Sequence, residues 1–175
     1  MAGLVRYPVT GPIGATGPGG GIIFFVDRYN EYADFSVLEV APASIEVQRT
    51  WATGSLQNFA VSGADSRALG AGHQNTLDIV AQAGNVAATC AAAYCADLTF
   101  GGQSDWYLPS ISEIKMVYNV VHLELGVGGF PSSGQYWSSS ETAYNSAFSQ
   151  NFGTGAQFSS NSKPTNSYVR PVRRF

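Results

Sequence analysis

Hydrophobic positions in this chain come in short runs of differing period, and the period separates strands from helices. Gly21-Ile22-Ile23-Phe24-Phe25-Val26-Asp27 is a β-branched and aromatic run closed by glycine at one end and an acidic turn at the other, which predicts a buried strand. Ser36-Val37-Leu38-Glu39-Val40-Ala41-Pro42 predicts its partner. Residues 43–74 hold Trp51 among Gly, Ser and Asn without a sustained period, and predict irregular loop with one short strand at most. Asn75-Thr76-Leu77-Asp78 predicts a helix start, with Asn75 as cap, Asp78 favourable to the dipole, and Leu77, Ile79 and Val80 beginning the apolar face. Gly84-Asn85 breaks that helix before an alanine-rich stretch reaching Tyr94. Ser110 and Glu113 form an S-x-x-E capping box, followed by Ile114, Val117, Tyr118, Val121 and Leu125 at helical spacing and a stop at Gly126.

From Gly128 onward the runs shorten again: Tyr136 to Ser140, Ala147 to Phe152, Gly155 to Ser159 and Tyr168 to Arg173 predict strands joined by polar turns. In the second of these, alternation turns Phe148, Gln150 and Phe152 to one face and Ala147, Ser149 and Asn151 to the other. The order predicts an α+β domain, two main helices on a small twisted antiparallel sheet with both chain ends returning to it.

Composition narrows the function. The 175 residues suit a single domain, and charged residues are only 12% of them, about half the usual share of roughly 25%. A net charge of −3 offers no overall attraction to nucleic acid or to anionic membranes. Neither partner is expected. Met1 to Thr10 lacks the basic start and apolar run of a secretory signal, and no run approaches the roughly 20 residues of a membrane span. Export by another route, such as incorporation into a phage particle, or prior removal of a signal are the two expectations.

Catalytic and metal chemistry find little support. His73 and His122 have no triad-like companions, no glycine stretch forms a phosphate cradle, and no cofactor is expected. Cys90 and Cys95 are disulfide candidates if a helix ends between them; otherwise they are two small buried thiols. Their surroundings lack a zinc pattern. Residues 132–168 are different in kind: 11 Ser and 4 Asn in 37 residues, with Glu141 and Lys163 as the only charges. One carboxylate argues against a calcium site there. The candidate ligand-binding residues are Tyr144, Asn145, Ser149, Asn151, Gln157, Ser159 and Asn161, which offer hydrogen bonds and a ring at low ordering cost. Trp106 and Trp137 read as core aromatics among apolar neighbours. Arg170 and Arg173, with Arg174 and Lys163 nearby, read as partners for acids such as Asp105, Glu113 or Glu141 rather than as a polyanion patch.

Glycine recurs at every third position in Gly11-Pro12-Ile13, Gly14-Ala15-Thr16 and Gly17-Pro18-Gly19, the period of a collagen strand. Two readings stand: a flexible linker, or a short collagen-like neck that aligns three chains. Residues 1–20 are accordingly expected to be an attachment segment and neck, and residues 21–175 the binding domain.

Four motifs in order carry a family resemblance: Gly17-Pro18-Gly19-Gly20-Gly21-Ile22-Ile23-Phe24-Phe25-Val26, Gly101-Gly102 with Asp105-Trp106 and Leu108-Pro109-Ser110, Tyr136-Trp137-Ser138-Ser139, and Tyr168-Val169-Arg170-Pro171-Val172-Arg173. Together they resemble the C-terminal domain family of the Legionella collagen-like adhesin. The resemblance implies a C-type-lectin-like fold, a homotrimer, and attachment to surface glycans or proteins without catalysis. The Ser/Asn/Tyr-rich stretch is also similar to the ligand-facing region of phage receptor-binding proteins on this fold. The leading expectation is a receptor-binding fibre tip on a virion or cell surface, recognising a host glycan or protein and joined to other fibre proteins through its N-terminal segment. The alternatives are a structural trimerising or capping domain and a bacterial polysaccharide-binding adhesin.

Overall fold

A computed structural model describes residues 12–175. Eight strands and three helices form an α+β domain with two sheets. The first sheet joins β1 (Ile22–Val26), β2 (Val37–Val40) and β8 (Val172–Arg174) in the order β1-β2-β8, all antiparallel. The second runs β3 (Val47–Arg49), β7 (Ser167–Val169), β4 (Gln135–Ala143), β5 (Ser146–Asn151) and β6 (Gln157–Ser162) in the order β3-β7-β4-β5-β6. One pair in it, β4 with β7, is parallel. The expected single antiparallel sheet is therefore two, and the expected strand 168–173 is divided between them at Arg170-Pro171, because Pro171 has no N–H to donate to a ladder. The first and last strands of the domain do meet in one sheet.

Helix α3 (Ile111–Met116) begins at the expected capping box. Ser110 Oγ accepts from Glu113 N and Glu113 Oε2 accepts from Ser110 N. A π-helical continuation, Val117–Glu124, carries Val117 and Val121 into the core, and Gly126 follows at φ +64°. Helix α1 (Gly72–Ala81) starts four residues earlier than expected, with Ala71 in place of Asn75 at its cap. Asn75 is not its cap: its Nδ2 donates to Ser66 O and to Ser139 Oγ, tying the helix to β4. The helix rolls accordingly. Ile79 is buried with Asn75 and Thr76, whereas Leu77 and Val80 face outward.

Helix α2 (Ala91–Ala96) has Cys90 at its N-cap and Cys95 within it. Both thiols are free and buried. The helix does not end between them, which is the condition a bridge required.

The described part of the G-x-y segment is not an extended collagen-like strand. Gly14 and Gly20 have φ of +88° and +79°, outside the polyproline region. Gly14 N donates to Ile23 O and Ile23 N to Ala15 O, so the segment folds back along the free edge of β1. Residues 14–20 thus belong to the domain expected to start at residue 21; residues 1–11 lie outside the described part. The glycines here answer to packing. Glu39 is fully buried on β2, accepting from Gly19 N and Gly21 N and pairing with Arg173. A Cβ at Gly17 would lie 2.4 Å from the Glu39 carboxylate, and one at Gly21 would lie 2.1 Å from Val40 O.

Two clusters make the core. One gathers Trp51, Ile79, Leu108, Trp137 and Val169 with the alanines of α2; the other gathers Phe24, Leu38, Tyr107, Ile114, Tyr136, Phe152 and Val172. Trp106 and Trp137 are both core residues, as expected.

Candidate functional site

The serines of residues 132–168 divide by the strand that carries them. Central strand β4 is covered on both faces, so Ser138, Ser139 and Ser140 are fully buried. Their hydroxyls act as ties: Ser138 Oγ donates to Phe148 O, Ser140 Oγ donates to Ser66 O, and Ser140 Oγ accepts from Ile111 N. Ser149 and Ser167 are buried as well. Five of the eleven serines are thus internal polar groups, each satisfied by burial next to a partner rather than offered to a ligand.

Edge strand β6 is the opposite case. Gln157, Phe158, Ser159 and Ser160 are all exposed. Its bulge against β5 falls between the pairs Ala147↔Asn161 and Ser149↔Phe158.

The seven candidate residues separate accordingly. Tyr144 and Asn145 form the exposed tip of the β4–β5 hairpin. Asn161 is half-buried near that end, with Nδ2 donating to Ser167 Oγ, and Ser159 is exposed between the two ends of β6. Asn151 and Gln157 lie at the far end of the sheet, about 15–20 Å away at the usual rise of a strand. Asn151 Oδ1 accepts from Gly153 N, Thr154 N and Thr154 Oγ1, and so builds a turn. Gln157 is exposed, with Nε2 donating to Ile111 O. Ser149 drops out of the surface: it is fully buried, and its Oγ accepts from Gln135 Nε2. The expected polar face of β5 is covered because both sides of that strand pack, Ala147 against the Trp51 cluster and Phe148 under the Arg67 guanidinium.

At the hairpin tip the two charges of the segment meet. Lys163 Nζ donates to Glu141 Oε1 at 2.5 Å, to Phe59 O at 2.8 Å and to Tyr144 O at 2.9 Å, and stands 4.4 Å over the Trp51 ring. Glu141 also accepts from Val61 N through both oxygens. Burial pulls the Lys163 pKa below its usual value, and Glu141 opposes that shift. The pair cancels inside the protein, and the surface around it is left to amides, hydroxyls and rings. Phe59, in the aperiodic stretch 43–74, is brought to this place and is 58% exposed; Tyr144 is 59% exposed. No local pattern around Phe59 signals that position, since its partner is 104 residues away.

The C-terminal arginines are structural. Arg173 pairs with Asp105, as expected, and also with Glu39. Arg170 pairs with Glu46, not with Asp105, Glu113 or Glu141, and its NH1 donates to Ala41 O and Gly128 O. Glu113 is taken by Tyr107, Ser110 and Gly70, and Glu141 by Lys163. The four resemblance motifs converge on these contacts: Gly19 against Gly101, Asp105 and Glu39 on Arg173, and Pro109 O on Ser139 N. These contacts hold the fold.

His73 is half-buried, edge-on to Tyr107, and burial, then Arg174, lowers its pKa. His122 lies among the rings of Tyr118, Phe130 and Phe152. Among the described residues no group of three or more His, Cys, Asp or Glu converges on a metal-sized site, and no helix is long and apolar enough to cross a membrane.

Residues 49–173 match the family model of the Lcl C-terminal domain, so the chain belongs to that family, the adhesin family its motifs resemble. No curated protein matches the chain. The family is one of adhesin-type domains and points to an extracellular or surface location.

Proposed function

We propose that this protein is a non-enzymatic recognition module, the tip of a trimeric fibre that holds a cell-surface glycan or protein through the end of the sheet formed by Tyr144, Asn145 and Asn161. The observation that carries this reading is the internal cancellation of Glu141 by Lys163, which leaves the exposed Tyr144 ring and Asn145 amide at the hairpin tip without a free charge from that pair. Such a surface gains its contacts at small ordering cost. Family membership supports adhesion, and the return of the first and last strands to one sheet supports a C-type-lectin-like architecture. Arg170 and Arg173 are buried in ion pairs, which speaks against sulfated polysaccharide as the ligand of that segment.

Single sites of this kind bind weakly, and linked display raises apparent affinity by roughly 10²–10⁴-fold. The test is therefore made with the full chain displayed on beads and offered to a panel of intact bacterial and eukaryotic cells. Wild type is expected to be retained by some of these cells, and the Tyr144→Ala/Asn145→Ala/Asn161→Ala variant to lose that retention with its thermal midpoint nearly unchanged. Retention of the variant on the same cells would move the site elsewhere. Retention of wild type on no cell would overturn the recognition reading.

A further inference from the structure

We propose that Phe59 and Tyr144 are the two walls of a binding platform for the apolar face of an uncharged pyranose sugar, a statement that rests on the recognition reading and narrows it to one ligand class. The geometry starts from one buried nitrogen. Lys163 Nζ donates to the carbonyl oxygens of both Phe59 and Tyr144, so those two oxygens lie within about 6 Å of each other. Each residue then turns an aromatic ring outward, exposed by 58% and 59%. Among the described residues neither ring stacks on another aromatic side chain.

Both backbones are fixed from several directions. Phe59 N donates to Leu56 O, Val61 N to the Glu141 carboxylate, and Glu141 N to Ala64 O, which pins the loop 56–64 to β4. Lys163 N donates to Asn145 O, and Trp51 N to Lys163 O, which pins the hairpin tip to the same centre. Two large apolar rings kept in water by a fully hydrogen-bonded buried cation are costly unless something covers them. A protein that ties them down beforehand loses little entropy when a ligand does so.

The rim selects the ligand. A pyranose presents a patch of C–H groups bordered by hydroxyls that both donate and accept. Asn58 and Asn145, each next in sequence to one of the ring residues and exposed, supply amides with both capacities. A depression of about 290 Å³ lined by Ala60, Val61, Ser62, Asp78, Ala81 and Gln82 opens from the residue after Phe59 and gives room for a second sugar unit. The charge nearest the rings is cancelled internally, and exposed Asp65 is followed two residues on by exposed Arg67, so that stretch offers no net cation. A sulfated or carboxylated sugar is therefore disfavoured here.

The probe is an array of uncharged and sulfated oligosaccharides read with the full chain on beads, at low and at high salt. Binding to uncharged members is expected, with little salt dependence, and Phe59→Ala and Tyr144→Ala are each expected to weaken it at least about fivefold. Both are surface substitutions, and an unchanged thermal midpoint confirms that the fold is kept. Binding restricted to sulfated members, or binding of uncharged members that survives both ring substitutions, overturns the platform. Periodate treatment of cells that retain the chain separates this inference from the broader reading. Loss of retention supports a sugar. Persistent retention that still requires Tyr144 indicates a protein receptor, and overturns the sugar while leaving recognition in place.

Discussion

Lys163 Nζ stands 2.5 Å from Glu141 Oε1, and the two side chains are 0% and 8% exposed. An ion pair this deep owes its existence to the other groups that share the desolvation cost, here the carbonyls of Phe59 and Tyr144, the Val61 N–H and the Trp51 ring. It connects three segments far apart in sequence: the loop 56–64, the β4–β5 hairpin and the turn after β6.

Removing one partner leaves an uncompensated buried charge. Lys163→Met and Glu141→Gln are each expected to cost about 3–5 kcal/mol, whereas the double variant is expected to cost much less than the two added together. Urea unfolding of the four proteins gives the coupling. Additive losses would mean that the pair is not a unit.

A second lock lies around Glu39. Gly21→Ala would bring its Cβ to 2.1 Å from Val40 O, backbone against backbone, and is expected to cost about 3 kcal/mol or more. Gly102→Ala meets nothing within 4 Å and bears only the strain of φ +74°, expected to cost about 1–2 kcal/mol. Equal losses in urea unfolding would show that the close approach to the Val40 carbonyl is not what the glycine at 21 serves.

These two locks show what was legible in the sequence. The capping box at Ser110 and Glu113 was fully readable, because both of its bonds span three residues. The same local logic failed at Asn75, whose amide is spent on Ser66 and Ser139 across the domain rather than on its own helix start. Period-three glycine suggested a neck, yet Gly17 answers to the Glu39 carboxylate, Gly19 to Trp106 and Arg173, and Gly21 to the Val40 carbonyl, contacts that no periodicity reveals. The scarcity of charge in residues 132–168 was plain from counting. That its two charges meet, and raise Phe59 to the surface beside Tyr144, follows only from tertiary structure.

Alkaline pH probes both clusters of the core. Burial pushes the thiols of Cys90 and Cys95 above their ordinary 9.0 and the Tyr107 phenol above 10.0. For such groups the folded pKa is the higher one, so the stability they contribute is complete below the unfolded value and is lost as pH rises through the folded one. Lys163 acts with opposite sign: its lowered pKa makes folding more favourable as pH climbs toward 10.5. With two thiols and the raised phenols of Tyr94, Tyr107 and Tyr136 against one amine, the thermal midpoint is expected to fall from about pH 9 upward. Cys90→Ala/Cys95→Ala is expected to move that onset toward pH 10; an unmoved onset would assign it to other groups.

The apolar residues left outside the core make a case about assembly. Leu125 belongs to the apolar spacing of the third helix, yet it is 38% exposed, with Leu123 at 58%, Val127 at 45% and Ile13 at 40%. Leu125 lies against the turn that follows Ile13, since a Cβ at Gly14 would lie 3.1 Å from Leu125 Cδ1, and the turn carrying Val127 is held by its N–H to Val121 O and by Arg170 on Gly128 O. The patch therefore sits on a rigid element beside Pro12, where the N-terminal segment joins the domain. In the trimer proposed above, a second copy of the chain is the expected cover. From that trimer, Leu125→Glu/Val127→Glu is expected to give monomers in light scattering, with a stability change within about 0.5 kcal/mol because both side chains are exposed. Leu77→Glu/Val80→Glu, on the outward face of α1, is expected to leave the oligomer intact. Oligomers that survive the first pair of substitutions, or dissociate only with the second, would place the contact on α1 instead.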